Sequence, residues 1–279
     1  RACSSLLYTA PHCASGARSA HSGKVVIGFV SHYFRQHSIG KYMRGLIANL
    51  SRDQFHVIVF FVPPVKDDDL SAFFRRSADQ AVVLPGALQS ARERIADEKV
   101  DVLVYPDIGM ESFTYFLAFS RLAPVQCVSF GHPVTTGIRN IDYFLSSEHF
   151  EPEDGEEHYS ERLVRLKSPI AYYFKPTVPA VLKSRSEFGF DDSQHIYFCP
   201  QTLYKFHPDF DTILAGILNA DPRGRLVLKA GHISHWAELL LQRFRQTMGH
   251  VMDRITVLPW LQGGDFTNLI AVSDVMLDT

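Results

Sequence analysis

The chain has 279 residues, 46% of them hydrophobic, with 28 Lys and Arg against 30 Asp and Glu and a formal charge of −2. That length holds two ordinary domains, each able to bury its own core, and the balanced charge lacks the basic field of a nucleic-acid-binding protein. No apolar run reaches the roughly 18 residues of a membrane-spanning helix, and Cys3, Cys13, Cys127 and Cys199 lack C-x-x-C spacing, which fits a reducing compartment, cytoplasmic or nuclear, and argues against zinc.

Residues 1–24 are rich in Ala and Ser, carry Arg1, Arg18 and Lys24 and have no acidic residue, the composition of a linker or of a targeting segment. From Lys24 onward, short apolar runs alternate with helix-period segments. Residues 25–31 read as a strand, and Ile39, Tyr42, Met43, Leu46, Ile47 and Leu50 then recur as the buried stripe of one helix. Strands at 56–62, 80–84, 101–105 and 125–130 are separated by helices at 70–78, 88–98 and 111–121. Strands that are apolar throughout, each followed by a helix, predict a parallel sheet covered on both faces.

Between 150 and 194 the pattern loosens into Glu151-Pro-Glu-Asp-Gly-Glu-Glu157 and Lys175-Pro-Thr-Val-Pro179, and the second of these is the predicted domain boundary. Alternation then resumes with strand 195–199, helix 208–219, strand 225–228, helix 235–250, strand 254–258, helix 265–272 and strand 274–278. The expected organisation is therefore a first Rossmann-like domain over 25–178 and a second over 179–279 that stops short, with an Arg rather than a Met at position 1. In such folds ligands bind at the carboxyl ends of the strands, and the cleft between two units is the default site.

Several loops at those ends carry chemistry. Phe198-Cys-Pro-Gln-Thr-Leu-Tyr-Lys205 leads from a buried strand toward a helix without a glycine, so a phosphate there would be neutralised mainly by the Lys205 side chain. His37 precedes Ser38, read as a helix cap, at the end of the first strand, where a histidine can act as base or as donor to a sugar. Phe130-Gly-His-Pro-Val-Thr-Thr-Gly137 lets a substrate hydroxyl approach the backbone, or simply turns the chain. Asp67-Asp-Asp69 satisfies a metal-binding Asp-x-Asp pattern, but Asp69 is well placed to cap the next helix, and capping is the preferred reading. His232 and His235 lack helical ligand spacing, so no metal site is assigned.

Ile27-Gly-Phe-Val-Ser31 with His37, Pro124-Val-Gln126 with Gly131-His-Pro-Val-Thr-Thr-Gly137, Asp142-Tyr143, Tyr159-Ser-Glu161-Arg-Leu163 and Leu203-Tyr-Lys205 together resemble the catalytic region of O-linked N-acetylglucosamine transferases. The bacterial-type members, which carry tetratricopeptide repeats upstream, are the most similar. The resemblance implies an α/β fold of two Rossmann-like domains (GT-B type) with the second truncated, and inverting transfer of N-acetylglucosamine from UDP-N-acetylglucosamine to Ser or Thr of intracellular proteins. It implies no essential metal and no cofactor. His37 matches the family's active-site histidine, Lys205 its diphosphate-binding lysine, Gly131 and Pro133 the loop against the donor sugar, and Thr202 a nucleotide-contacting position.

The sequence also departs from the family. Tyr33 stands where an aspartate has been proposed as base, Gly263 and Phe266 where a lysine and a histidine contact the nucleotide, and the family's Gly-His-Thr-Thr phosphate loop would follow Thr279. The departures leave two alternatives open: another donor or acceptor (GDP-fucose to Ser/Thr, or UDP-glucose to Asn), or an inactive truncated binding module.

Overall fold

A computed structural model describes residues 7–15, 23–176, 178–261 and 263–279. The chain forms two compact units, Arg1–Phe174 and Lys175–Thr279. In the first, α1 (Pro11–Ser15) precedes β1 (Val25–Ser31), α2 (Ser38–Asn49), β2 (Phe55–Phe61), α3 (Asp69–Ser77), β3 (Gln80–Val83), α4 (Leu88–Asp97) and β4 (Val102–Tyr105). Then come α5 (Ser112–Leu117), β5 (Val125–Ser129), β6 (Tyr143–Ser147) and β7 (Arg162–Leu166). The seven strands are parallel in the order β3-β2-β1-β4-β5-β6-β7. The apolar strands divide between two cores as the period of two dictates: Val26 and Val30 of β1 pack into one and Phe29 into the other. Chain direction across the sheet reverses between β1 and β4, so their carboxyl ends open the crevice where ligands of such sheets bind.

The second unit contains β8 (His195–Cys199), α6 (Pro208–Ala220), β9 (Gly224–Lys229), α7 (Ser234–Thr247), β10 (Ile255–Leu258), α8 (Gly263–Val272) and β11 (Val275–Met276). Its parallel sheet runs β10-β9-β8-β11 and reverses between β8 and β11. Cys127 of β5 and Cys199 of β8 are free and buried, as their apolar surroundings predict. Among the described residues no helix is long and apolar enough to cross a membrane.

Sheet register is set by a repeated device. Asp79, Asp101, Asp142 and Asp274 each stand one residue before a strand, β3, β4, β6 and β11. Each carboxylate accepts the backbone N–H of a residue on the neighbouring strand: Val57 at 2.7 Å, Val26 at 2.8 Å, Gln126 at 2.7 Å and Ile196 at 2.7 Å. The backbone N–H of each aspartate donates to the carbonyl of the same partner residue. An N–H that the parallel ladder would leave open is thereby satisfied, and a slip by one residue would break both bonds.

Some boundaries differ from expectation. β6 and β7 were not expected: β6, just before the stretch where the pattern loosens, has only three apolar residues, and β7, inside it, is an edge strand of sequence Arg-Leu-Val-Arg-Leu that buries Leu163 alone. Helix α5 ends at Leu117 rather than 121, because Arg121 leaves the helix to pair its backbone with Tyr8 and Ala10. That pairing also docks part of the segment expected as linker or targeting sequence, since Ala10 and His12 are buried; residues 1–6 and 16–22 of it lie outside the described residues. Helix α7 stops at Thr247, short of 250, and a 3₁₀ turn over Gly249–Arg254 follows.

Candidate functional site

At the end of β1 the chain turns through His32–His37 into α2. His37, not Ser38, is the N-cap: its Nδ1 accepts the N–H of Ile39 at 3.2 Å, and Ser38 is the first helical residue. The bond fixes the tautomer. With Nδ1 accepting, the neutral imidazole carries its hydrogen on Nε2 and presents a donor. Burial, helped by Arg35, His32 and Lys41, holds the His37 pKa below the ordinary histidine value, so the neutral form prevails at pH 7. The Tyr33 ring stacks on the imidazole at 4.2 Å, so the position expected to lack a carboxylate base provides an aromatic support. Gly40 permits the tight turn, because a Cβ there would lie 2.4 Å from the Arg35 carbonyl oxygen.

Beneath this turn, Asp107 follows β4 at the switch point and is fully buried. The Ser31 hydroxyl donates to its Oδ2 at 2.8 Å, and the Tyr33 N–H donates to Ser31 Oγ at 2.8 Å. Its Oδ1 has no hydrogen-bond partner among the described residues. Burial raises its pKa to about 8, against the lowering effect of the Ser31 bond.

Gly131 follows β5 and packs into the same corner. A Cβ there would fall 2.1 Å from the Pro106 carbonyl oxygen and 2.7 Å from Ile39 Cδ1, so only glycine lets this loop approach the His37 turn. The Gly131 N–H and the Tyr42 hydroxyl both donate to Pro106 O, at 3.0 Å each. Pro133 is exposed on the same loop. Asp68, rather than Asp69, caps α3, its side chain accepting from Leu70 and Ser71; its second oxygen accepts the Gln36 N–H at 2.7 Å and anchors the His37 turn. Asp67 pairs with Arg75 at 3.6 Å.

In the second unit Lys205 closes a 3₁₀ turn, Leu203–Lys205, that follows β8; the helix does not open directly from it, since α6 starts at Pro208 with His207 as N-cap. Lys205 is exposed and makes no ion pair with described residues. Thr202 lines a pocket of about 360 Å³ with Lys229, Gly231, His232, Ile233, Trp236 and Trp260, drawn from the carboxyl ends of β8, β9 and β10 and the start of α7. Lys229 lies 4.2 Å over the Trp260 ring, and the His232 ring lies tilted against the same indole at 4.0 Å. Burial lowers the Lys229 pKa. Its ammonium has no carboxylate partner among the described residues, so an anion entering the pocket meets a partly desolvated cation. Lys229 falls one residue past the strand expected over 225–228, β9 running on through it, and its aromatic surroundings come from separate segments, so the sequence did not single it out.

The structure thus brings His37 and Gly131 together in the first unit and places Thr202 and Lys205 on one loop of the second, with Thr202 in the pocket. Two parallel α/β units with polar loops at the carboxyl ends of their strands are the architecture of GT-B glycosyltransferases. The sequence profile of Glycosyl transferase family 41 matches residues 4–175, and the chain belongs to that family. It is similar to a probable UDP-N-acetylglucosamine–peptide N-acetylglucosaminyltransferase, SPINDLY, of Solanum lycopersicum, with 26% identity over 91% of this chain and 28% of the plant protein. It is 28% identical to a UDP-glucose:protein N-beta-glucosyltransferase of Actinobacillus pleuropneumoniae over 57% of this chain and 24% of that protein. A solved structure of a Thermobaculum terrenum O-GlcNAc transferase mutant superposes with a TM-score of 0.79 at 26% identity, covering 92% of this chain and 48% of the other. The chain therefore spans less than half the length of each of these three relatives.

Proposed function

We propose that the protein containing this chain transfers N-acetylglucosamine, with inversion, from UDP-N-acetylglucosamine to Ser or Thr hydroxyls of intracellular proteins. The observation that carries the reading is the pocket at the carboxyl ends of β8, β9 and β10, where Thr202 and Lys229, which has no carboxylate partner among the described residues, lie beside two tryptophans. Aromatic faces and a cation suit a nucleoside diphosphate. Lys205 stabilises the charge that develops on the leaving diphosphate. Gly131 and Pro133 lie against the sugar, and His37 donates its Nε2–H to an oxygen of the donor rather than removing a proton. The donor named for SPINDLY supports the choice of sugar.

A second reading, glucose transfer to Asn from UDP-glucose, is favoured by the Actinobacillus relative. Mass spectrometry of acceptor peptides incubated with full-length protein and UDP-N-acetylglucosamine, UDP-glucose or GDP-fucose in turn separates them. N-acetylhexosamine on Ser or Thr is expected; hexose on Asn alone, or deoxyhexose alone, rejects the proposal.

The two functions of His37 are separable. His37→Asn keeps an N-cap acceptor but lacks the reach of the imidazole, so its melting temperature should match wild type while transfer drops by about 10²-fold. His37→Ala should in addition lose about 1 kcal/mol of stability. Full transfer by His37→Asn would remove the histidine from the mechanism.

A further inference from the structure

The loop 131–137 is fastened at its far end by one buried carboxylate. Glu161, 4% exposed, stands just before β7 and receives the Thr136 N–H at 2.9 Å, the Thr136 hydroxyl, and the Thr135 hydroxyl at 2.8 Å. Thr136 Oγ1 accepts the Ile138 N–H at 3.1 Å. Thr135 Oγ1 accepts the Ser160 N–H at 2.9 Å and lies 2.8 Å from Ser160 Oγ, which accepts the Gly137 N–H at 3.1 Å.

The direction of every bond follows from the carboxylate. An ionised Glu161 can only accept, so both threonine hydroxyls must spend their single hydrogen on it. Thr135 Oγ1 must then accept from the Ser160 hydroxyl, which leaves Ser160 Oγ to accept from Gly137. Burial alone would raise the Glu161 pKa, but the bonds from Thr136 and Thr135 outweigh it and hold the carboxyl below the usual range, so the network stays intact at neutral pH. At the near end the Gly131 N–H is bound to Pro106 O. Between these anchors Pro133 and Val134 are exposed, with the backbone turned by the Val134 N–H to His132 O bond. A loop fixed at both ends with an exposed apex is preorganised to meet a ligand.

We propose that Glu161 is a positioning residue for glycosyl transfer, acting through Thr135, Thr136 and Ser160 to hold Gly131 and Pro133 in the conformation that receives the donor sugar. The proposal rests on the reading that this loop faces the sugar. Glu161→Gln substitutes a donor for one of the two accepting oxygens, so one threonine hydroxyl meets an N–H instead of an acceptor and the directed network fails.

Hydrogen exchange tests the clamp without reference to activity. In full-length protein, exchange at the Thr136, Gly137 and Ile138 amides should accelerate at least about tenfold in Glu161→Gln. Calorimetry and kinetics then test the positioning: affinity for UDP should be unchanged, affinity for UDP-N-acetylglucosamine weakened, and kcat lowered at least about tenfold. Thr136→Val should behave like Glu161→Gln, whereas Thr136→Ser, which restores the hydroxyl, should recover most of the rate. Unchanged exchange overturns the clamp. Faster exchange with an unaltered ratio of UDP to UDP-N-acetylglucosamine affinity overturns the positioning role and leaves a structural tie. Wild-type protein that binds UDP but gains nothing from the sugar overturns the reading of the loop, and this role with it.

Discussion

Lys205→Ala in the full-length protein is expected to lower kcat/KM for transfer by about 10²- to 10³-fold, the scale found when one preorganised donor to a developing anion is removed. The ammonium belongs to an exposed side chain with no ion-pair partner among the described residues, so its removal breaks no structural contact and the melting temperature should not move. Lys205→Arg should restore part of the rate, because charge is kept while the geometry of a compact point charge is lost. The effect should appear in kcat more than in donor KM, since the charge on the diphosphate grows as the glycosidic bond breaks. Turnover unchanged in Lys205→Ala would sink the assignment and leave Lys229 as the cation to test next.

The largest effect on stability is expected at Asp107. Its pKa rises from 3.8 unfolded to about 8 folded, so the native state binds a proton that the unfolded chain releases. The resulting contribution is fully present below pH 3.8 and is lost as the pH rises toward 8, a loss on the order of several kcal/mol if the whole shift is realised. Asp107→Asn abolishes that titration while keeping an oxygen for the Ser31 hydroxyl. Relative to wild type, the variant should gain stability steadily between pH 4 and pH 8. Urea unfolding followed across that range measures the difference. Parallel curves for the two proteins would mean that Asp107 is ionised in the native state through a partner that the present geometry does not supply.

The alternation of apolar strand and amphipathic helix was legible because strands buried on both faces are continuous in hydrophobicity, as in residues 25–31 and 195–199. Edge strand β7 was not, because one face meets solvent and its arginines interrupt the run. Caps were legible to within one residue: Asp68 and Asp69 are equally good by type, and only the backbone angles at 68 decide between them. The placement of Lys205 was legible because it rests on local order, a lysine just after a buried strand. Asp107 and Lys229 were not, since the burial of one arises from the adjacency of β1 and β4 and the surroundings of the other from loops far apart in sequence. Glu161 lay inside a quoted motif, but its function depends on threonines 25 and 26 residues away.

The four aspartates that precede β3, β4, β6 and β11 act at the amino-terminal edge of their sheets, whereas His37, Gly131, Thr202, Lys205 and Lys229 lie beyond the carboxyl ends; only Glu161, level with Asp142 beside β7, reaches from the keyed edge to a loop of the other. The alignment of the strands is therefore referenced from the edge opposite the loops that carry His37 and Lys205. Residues beyond the carboxyl ends can be rewritten without moving the frame that aims them. Tyr33, Gly263 and Phe266, the three positions that depart from the family's pattern, all belong to that opposite rim. A scaffold keyed at one end in this way can exchange donors or acceptors over evolutionary time while each new side chain still emerges at the same height above the sheet.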